Sequence, residues 1–126
     1  MKLNLDCYEE TEFNRITEKE NEIIELFFKG NEISDLEKLL HKNSDYEHVK
    51  AISENRKNII AFYPIEKHET VLEIGAGFGE ITEELCQKAK KVIAIESKKE
   101  KAEVIAKRHN NIENLEVYAG ELKNIK

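Results

Sequence analysis

Residues 70–79 read Thr70-Val71-Leu72-Glu73-Ile74-Gly75-Ala76-Gly77-Phe78-Gly79. A short β-type apolar run with one acidic residue leads into a loop with glycine at every second position. Three of the five glycines in the 126-residue chain lie here, which indicates a backbone requirement rather than background composition. Glycine allows sharp turns at positive φ and lets a ligand lie against bare backbone. A helical pattern follows, so the unit resembles the opening of a nucleotide-type binding site.

Downstream, strand and helix patterns alternate. The predicted elements are strand one Val71–Ile74, helix one Gly79–Lys88, strand two Lys91–Ile95, helix two Lys98–Arg108 and strand three Leu115–Tyr118. Nearly continuous apolar strands separated by helices of about ten residues imply a parallel sheet with right-handed crossovers. The predicted fold class is therefore α/β, a doubly wound parallel sheet of which about three strands, the first half, are present.

Upstream, the pattern is helical. Residues 18–29 form an amphipathic stretch that stops at Gly30, and capping-box signals follow at residues 34–37 and 44–47. A third helical stretch reaches Phe62 with an interruption near Ser53. The first 63 residues thus look all-helical and acidic. We place a boundary there, with an N-terminal helical segment at 1–63 and a second region at 64–126.

Composition excludes several functional classes. Residues 1–70 carry 16 acidic and 10 basic residues, and residues 71–126 carry 10 of each, so neither half favours nonspecific nucleic-acid binding. A run of lysines from Lys88 to Lys101 is interpreted as a solvated rim. The chain shows no apolar stretch long enough for a membrane span and no signal peptide, which predicts a cytoplasmic location. Cys7, Cys86 and the four histidines lack metal-ligand spacing, so no metal site is expected.

An acidic residue follows the second strand. Glu96 stands 21 positions after Gly75. In doubly wound folds an acid at this place hydrogen-bonds the ribose hydroxyls of an adenosine ligand. Loop, strand order and acid together favour an adenosine-binding site over a tight turn followed by an exposed glutamate.

Position 80 separates the adenosine ligands. A dinucleotide site has a glycine three positions after its second glycine, at a helix N-terminus that receives pyrophosphate. Here that position is Glu80, whose carboxylate would repel pyrophosphate, and no Gly-Lys-Ser/Thr follows. S-adenosylmethionine carries no phosphate, and its sulfonium and ammonium groups tolerate Glu73 and Glu80. The carboxylate of S-adenosylmethionine is expected to accept hydrogen bonds from backbone N–H groups.

These residues resemble the class I S-adenosylmethionine-dependent methyltransferases. Val71–Gly79 is similar to their glycine-rich motif, Val92–Glu96 to their second strand with its ribose-binding acid, and Asn114–Leu122 to their third strand and following turn. The resemblance implies a Rossmann-like fold with S-adenosyl-L-methionine as cofactor. It implies that Glu73 faces the methionine ammonium, Glu96 the ribose and Glu121 the adenine. The implied cofactor-binding residues are Glu73, Gly75, Ala76, Gly77, Phe78, Gly79, Glu96, Ser97 and Glu121.

Two narrower resemblances stand beside the general one. Ile81-Thr82-Glu83-Glu84-Leu85 resembles the ribosomal RNA adenine dimethyltransferases. Residues 53–60, which precede Tyr63-Pro64, are more similar to methyltransferase domains found beside bacterial glycosyltransferases. The methyl acceptor therefore stays open between RNA, a sugar, a small metabolite and a protein.

The family's later strands are missing. Its fold has about seven strands, and the fourth usually ends in a substrate-facing motif rich in proline, whereas Pro64 is the only proline here. No catalytic residue can be assigned, so we expect either a truncated enzyme or a half-domain that binds cofactor only. In the family, strand one lies between strands two and four. Without strand four, strand one is predicted to form an exposed apolar edge of the sheet. We expect either that this edge self-associates or that the N-terminal helices fold over it.

Three functions follow in order of preference. The first is the cofactor-binding portion of a methyltransferase, in which the intact protein transfers methyl to an unidentified acceptor. The second is a noncatalytic cofactor-binding or protein-interaction module with a methyltransferase half-fold. The third is a dinucleotide oxidoreductase.

Overall fold

The sheet contains four parallel strands. A computed structural model describes residues 1–30, 36, 38 and 45–125. The strands are β1 (Lys2–Asn4), β2 (Thr70–Ile74), β3 (Lys91–Glu96) and β4 (Leu115–Ala119), in the order β1-β4-β3-β2. Val71 lies opposite Val92, and Ala94 lies opposite Val117. The predicted parallel α/β fold is confirmed.

Helices connect these strands. They are α1 (Glu18–Phe28), α2 (Tyr46–Ile52), α3 (Asn58–Ala61), α4 (Thr82–Lys88) and α5 (Lys99–Arg108), with short 3-10 helices at Glu54–Lys57 and Leu122–Asn124. The interruption near Ser53 is confirmed, because the Ser53 side chain caps the first 3-10 helix. Helix α4 begins three residues later than predicted, since Gly79 has a φ of +80° that no helix accommodates. The signal at 34–37 lies outside the described residues, apart from Leu36.

The prediction that residues 1–63 are all-helical is wrong at the N-terminus. Lys2–Asn4 form β1, which pairs in parallel with β4, Leu3 lying opposite Val117. Three residues are too few to show a periodicity, and their strand conformation comes from the free edge of β4. The division at residue 63 remains a prediction, and residues from both sides of it contribute strands to one sheet.

Two apolar clusters hold the fold together. The first packs α4 and α5 on one face of the sheet and includes Val92, Val117 and Ile105, all fully buried. The second joins α1 and α2 to the glycine loop through Ile23, Ile52, Phe78 and other buried side chains. None of the helices in the described ranges is long and apolar enough to cross a membrane.

Strand β2 forms an edge of the sheet, as predicted for strand one. Among the described residues it pairs with β3 only. The side chains of Leu72 and Ile74 are 52% and 59% exposed, because α4 and α5 cover the opposite face. Phe62 and Tyr63, which precede this strand, are exposed as well. The described N-terminal helices therefore leave an apolar edge open.

Glu20 joins α1 to α5. Its carboxylate lies 2.6 Å from the ammonium groups of both Lys98 and Lys101, which are only 17% and 16% exposed. The lysine run is therefore not entirely a solvated rim. Glu20 also accepts a hydrogen bond from the Thr17 N–H and completes the capping box of α1. Burial alone would raise the pKa of Glu20, but hydrogen bonds from Lys101, Lys98 and Thr17 lower that pKa to about 2.

Replacing Glu20 by glutamine should destabilise the protein by about 2 kcal/mol at pH 7. Because the pKa of Glu20 is lower in the folded state than in the unfolded state, ionised Glu20 stabilises the fold at pH values above its ordinary pKa of 4.5. This stabilisation is lost as the pH falls toward 2. Urea unfolding from pH 7 to pH 2 measures it, with wild type and Glu20→Gln converging at the acid end. Glu25→Gln, on the exposed face of α1, is the matched control and should change stability by less than about 0.5 kcal/mol. A constant difference across that range would contradict the prediction.

Candidate functional site

The glycine loop lies where three strands end at the same edge of the sheet. Gly75 and Ala76 donate their backbone N–H groups to the Ile95 carbonyl, at 2.9 and 3.1 Å. This holds the loop after β2 against the end of β3. In parallel α/β sheets the carboxyl ends of the strands form the ligand-binding edge. The topology therefore places the predicted loop at the expected position for a ligand.

Every backbone N–H group from residue 75 to 79 already has a protein acceptor. Besides the two bonds to Ile95, Gly77 N–H donates to Glu96 Oε2 at 2.8 Å and Phe78 N–H donates to Glu80 Oε2 at 3.1 Å. The Gly79 N–H donates to the Ala76 carbonyl at 2.9 Å. This segment of the loop offers no unpaired N–H to a pyrophosphate. The sequence analysis expected the carboxylate of the methionine moiety to bind these N–H groups. Because they are already paired within the protein, they are not available to it.

Glu96 is buried and turned into the loop. One carboxylate oxygen accepts the Gly77 N–H, and the other accepts the Lys98 N–H at 3.0 Å and the Ser97 hydroxyl at 3.3 Å. Its exposed fraction is 5%. A carboxylate oxygen has two acceptor positions, so acceptor capacity remains for a ligand hydroxyl. Glu96 thus connects the loop, the end of β3 and the start of α5.

Glu73 lies behind the same loop. It is buried and accepts a hydrogen bond from the Thr82 hydroxyl at 2.8 Å. Burial has the largest effect on the pKa of Glu73 and raises it. The Thr82 hydrogen bond lowers this pKa, whereas the nearby Glu80 and Glu96 carboxylates raise it, and the result is a pKa of about 7. Burial also raises the pKa of Glu80. Three carboxyl groups therefore surround the loop, an environment that favours a cationic ligand.

We expect Glu73→Gln to stabilise the ligand-free protein by about 2 kcal/mol at pH 8. The folded state binds a proton at Glu73 more tightly than the unfolded state, whose carboxyl has the ordinary pKa of 4.5. The stabilisation that protonated Glu73 gives the folded state is therefore complete below about pH 4.5, and it is lost as the pH rises through 7. Glutamine keeps an acceptor for Thr82 without a charge. Urea unfolding at pH 6 and pH 8 tests this, with Glu83→Gln as control on the same helix as Thr82. A variant that is less stable than wild type at pH 8 would refute it.

A cleft of about 280 Å³ opens beside the loop. Glu73 and Glu80 line it together with Gly75, Ala76 and Gly77 of the loop. Lys50 and Arg56, from the α2 end of the N-terminal segment, line the same cleft, as does Ile59. Sequence reasoning missed both cations, because nothing in a charged helical stretch distinguishes them from solvent-facing residues.

A second cavity of about 320 Å³ is lined by two more of the predicted residues. Ser97 and Glu121 line it together with Phe13, Asn14 and Lys123. Glu121 forms an ion pair with Lys123 at 2.7 Å. Phe13 is 85% exposed and was not expected at this site. The predicted adenine residue Glu121 and its neighbour Ser97 thus line a different cavity from the predicted methionine residue Glu73.

Phe78 and Gly79 serve the core rather than the cleft. The Phe78 ring is buried and stacks on Phe27 with centroids 6.2 Å apart. At Gly79 an added Cβ would lie 2.9 Å from the His109 ring, whose Nε2 donates to the Gly79 carbonyl. Burial lowers the pKa of His109 and outweighs the hydrogen bond to Gly79, which acts in the opposite direction. The third glycine thus lets α5 approach the loop.

Comparison with known proteins identifies the family. The model of the ribosomal RNA adenine dimethylases matches residues 45–123, more than half of the chain. The chain belongs to the ribosomal RNA adenine dimethylase family. The predicted resemblance to class I methyltransferases and the predicted cofactor, S-adenosyl-L-methionine, are thereby confirmed.

Individual relatives agree with this. A probable ribosomal RNA small subunit methyltransferase A from Methanosarcina acetivorans is 43% identical over 63 residues, which cover 50% of this chain and 23% of that protein. Phosphoethanolamine N-methyltransferase 3 from Arabidopsis thaliana is 42% identical over 73 residues, 58% of this chain and 13% of that protein. This dimethylase-family chain therefore spans less than a quarter of the length of these curated relatives.

A solved structure shares the fold. It is phosphoethanolamine N-methyltransferase 1 from Haemonchus contortus, in complex with phosphoethanolamine and S-adenosylhomocysteine. The match has a TM-score of 0.53 and 17% identity, and covers 84% of this chain and 22% of that one. At this identity the likeness extends to the fold of the dimethylase-family chain alone.

Proposed function

We propose that this chain is the cofactor-binding portion of an S-adenosylmethionine-dependent methyltransferase whose acceptor is adenine in ribosomal RNA. Residues 64–126 supply the glycine loop and the acids around it. Glu73 faces the methionine ammonium, Glu96 binds the ribose hydroxyls, and Ser97 and Glu121 lie toward the adenine. Gly75 and Gly77 present bare backbone to the cleft.

The observation that supports this proposal is the hydrogen bonding and the charge of the glycine loop. Its N–H groups are all paired within the protein, and three carboxyl groups surround it. A pyrophosphate would find no free backbone N–H in residues 75–79, where a dinucleotide site supplies its donors, and it would lie beside the carboxyl groups of the loop. A ligand with a sulfonium and an ammonium group finds complementary charge. This distinguishes the site from that of a dinucleotide oxidoreductase.

When bound, S-adenosylmethionine supplies an electrophilic methyl group that an adenine nitrogen can attack. The residues of this chain hold and orient the cofactor, which brings the methyl group to a defined position. No described residue is placed to act as a base toward the acceptor. The acceptor itself is proposed from the family, because the net charge of −6 gives this portion no electrostatic preference for RNA.

Calorimetric titration tests the proposal. S-adenosylhomocysteine should bind with a Kd in the micromolar range, and NAD should not bind. Binding of NAD alone would refute the proposal. Because the Glu73 pKa is about 7, binding of S-adenosylmethionine at pH 7 should release about half a proton, measured as a dependence on buffer ionisation enthalpy. The proton release should be absent in Glu73→Gln.

A second assay distinguishes the enzyme from the noncatalytic module. The intact protein that contains this portion is given labelled S-adenosylmethionine and small-subunit ribosomal RNA, and adenine methylation is measured. Transfer supports the proposed acceptor. Binding of S-adenosylhomocysteine without transfer to RNA favours a module that holds the cofactor only.

The edge at β2 also supports association between copies of this chain. Leu72 and Ile74 project from a strand that has one sheet partner among the described residues, and an open strand edge pairs readily with another strand. Sedimentation should show a concentration-dependent dimer that Leu72→Lys converts to monomer. Ile59→Lys, at a position that is 62% exposed and off the strand, is the control. A monomer at all concentrations, with rapidly exchanging β2 amides, would exclude pairing.

A further inference from the structure

The cleft that contains the carboxylates is also lined by two cations. Arg56, from the 3-10 helix Glu54–Lys57, and Lys50, from α2, line the same 280 Å³ space as Glu73, Gly75 and Gly77. The lining of this one cleft thus carries charges of both signs. A ligand end that carries both an ammonium and a carboxylate matches this arrangement, since each charge finds an opposite charge.

Arg56 has unused hydrogen-bonding capacity. Its Nε atom is buried and has no acceptor in the part of the chain that the structure describes. A buried donor without an acceptor destabilises a protein, which makes such an atom a candidate for a ligand contact. Arg108 differs, although its Nε is also unpartnered. Its Nη atoms donate to the carbonyls of Ala51 and Phe78 and to the Glu54 carboxylate.

Arg108 also explains how Arg56 reaches the cleft. By bonding Ala51 and Glu54 on one side and Phe78 on the other, the Arg108 guanidinium joins the α2 end to the glycine loop. Its side chain is only 4% exposed, so the joint is sheltered from water. The 3-10 helix that carries Arg56 is therefore held beside the loop.

The paired state of the loop leaves the methionine carboxylate without a backbone partner there. We propose that Arg56 binds the carboxylate of the cofactor's methionine moiety, with Lys50 as a supporting positive charge. Glu73 and Arg56 then each recognise one of the two opposite charges of a single amino-acid head group. An arginine–carboxylate pair is charge-assisted and can be bidentate, which gives orientation as well as affinity. This inference rests on the proposed function and assigns a residue to its cofactor site.

The experiment compares two ligands that differ in one group. S-adenosylmethionine and decarboxylated S-adenosylmethionine are titrated calorimetrically into wild type, Arg56→Gln and the control Arg15→Gln, whose side chain is exposed and pairs only loosely with Glu10. Wild type should bind the carboxylate-bearing ligand about 10- to 100-fold more tightly than the decarboxylated one. Arg56→Gln should lose that preference, with little change in affinity for the decarboxylated ligand. Arg15→Gln should retain it.

Each outcome has a separate meaning. If wild type binds neither ligand, the proposed function fails. If wild type binds both ligands equally, or if Arg56→Gln keeps the preference, the role of Arg56 is overturned while the cofactor site stands. An equal loss for both ligands assigns Arg56 a structural role and also overturns the inference. Should Arg56→Gln not fold by circular dichroism, Arg56→Lys replaces it and should retain only part of the preference, and an undiminished preference in Arg56→Lys overturns the role of Arg56.

Discussion

Replacing Glu96 by alanine is expected to weaken binding of S-adenosylhomocysteine by about 100- to 1,000-fold. Two contributions are lost together. The proposed acceptor for the ribose hydroxyls disappears, and the N–H groups of Gly77 and Lys98 lose the carboxylate that holds them. Glu96 then no longer joins the glycine loop to the start of α5. The loop must be ordered when the ligand binds, and this ordering reduces the affinity. Calorimetric titration measures the change in affinity.

A control on the neighbouring strand separates this effect from a general loss of charge. Glu116 lies in β4, pairs with Lys91 at 3.0 Å and is not near the loop. Glu116→Gln should bind the ligand as wild type does. Circular dichroism and thermal unfolding establish that Glu96→Ala remains folded. A folded Glu96→Ala protein that binds within about threefold of wild type would remove Glu96 from the cofactor site.

Gly120→Ala is expected to lower the free energy of unfolding by about 3 kcal/mol. Gly120 follows β4 with a φ of +137°, which side-chain-bearing residues rarely adopt. An added Cβ would lie 2.8 Å from the Cys7 carbonyl oxygen, a backbone atom that cannot rotate away. The chain after β1 and the chain after β4 would have to move apart. Urea unfolding measures the loss.

Gly30→Ala provides a matched comparison for strain without a clash. Gly30 has a φ of +79° at the end of α1, but an added Cβ meets nothing within 4 Å. Only the left-handed conformation opposes alanine there, so a loss of about 1 kcal/mol is expected. Equal losses at the two glycines would mean that the contact with Cys7 does not matter. A loss at Gly30 alone would contradict the proposed packing.

Local sequence chemistry predicted the region around the loop well. The alternation of glycines after a β-type run and the acid after the second strand led to the strand order and to the cofactor class. These features are short-range, because a parallel βαβ unit and its turn are specified by residues that lie close together in sequence. The start of α4 was misplaced by three residues because Gly79 serves contact with α5, which periodicity does not reveal.

Features with distant partners were missed. Strand β1 exists because β4 offers it an edge more than a hundred residues away along the chain. Glu20 was only one residue of the helical stretch 18–29, and its pairing with Lys98 and Lys101 required α1 and α5 to meet. Arg56 and Lys50 likewise reach the cleft only after the helical segment is placed beside the loop.

The sequence by itself determined that this chain turns at bare backbone after a buried strand, and that carboxylates rather than phosphate-binding groups stand at the turn. It did so because residue type and spacing set backbone conformation and local charge. Only the tertiary structure decided that the loop N–H groups are consumed internally, that Phe78 belongs to the core, and that two cations line the same cleft as the acids. Those outcomes depend on which distant surfaces pack together, since burial and pairing are properties of the assembled fold and not of any one segment.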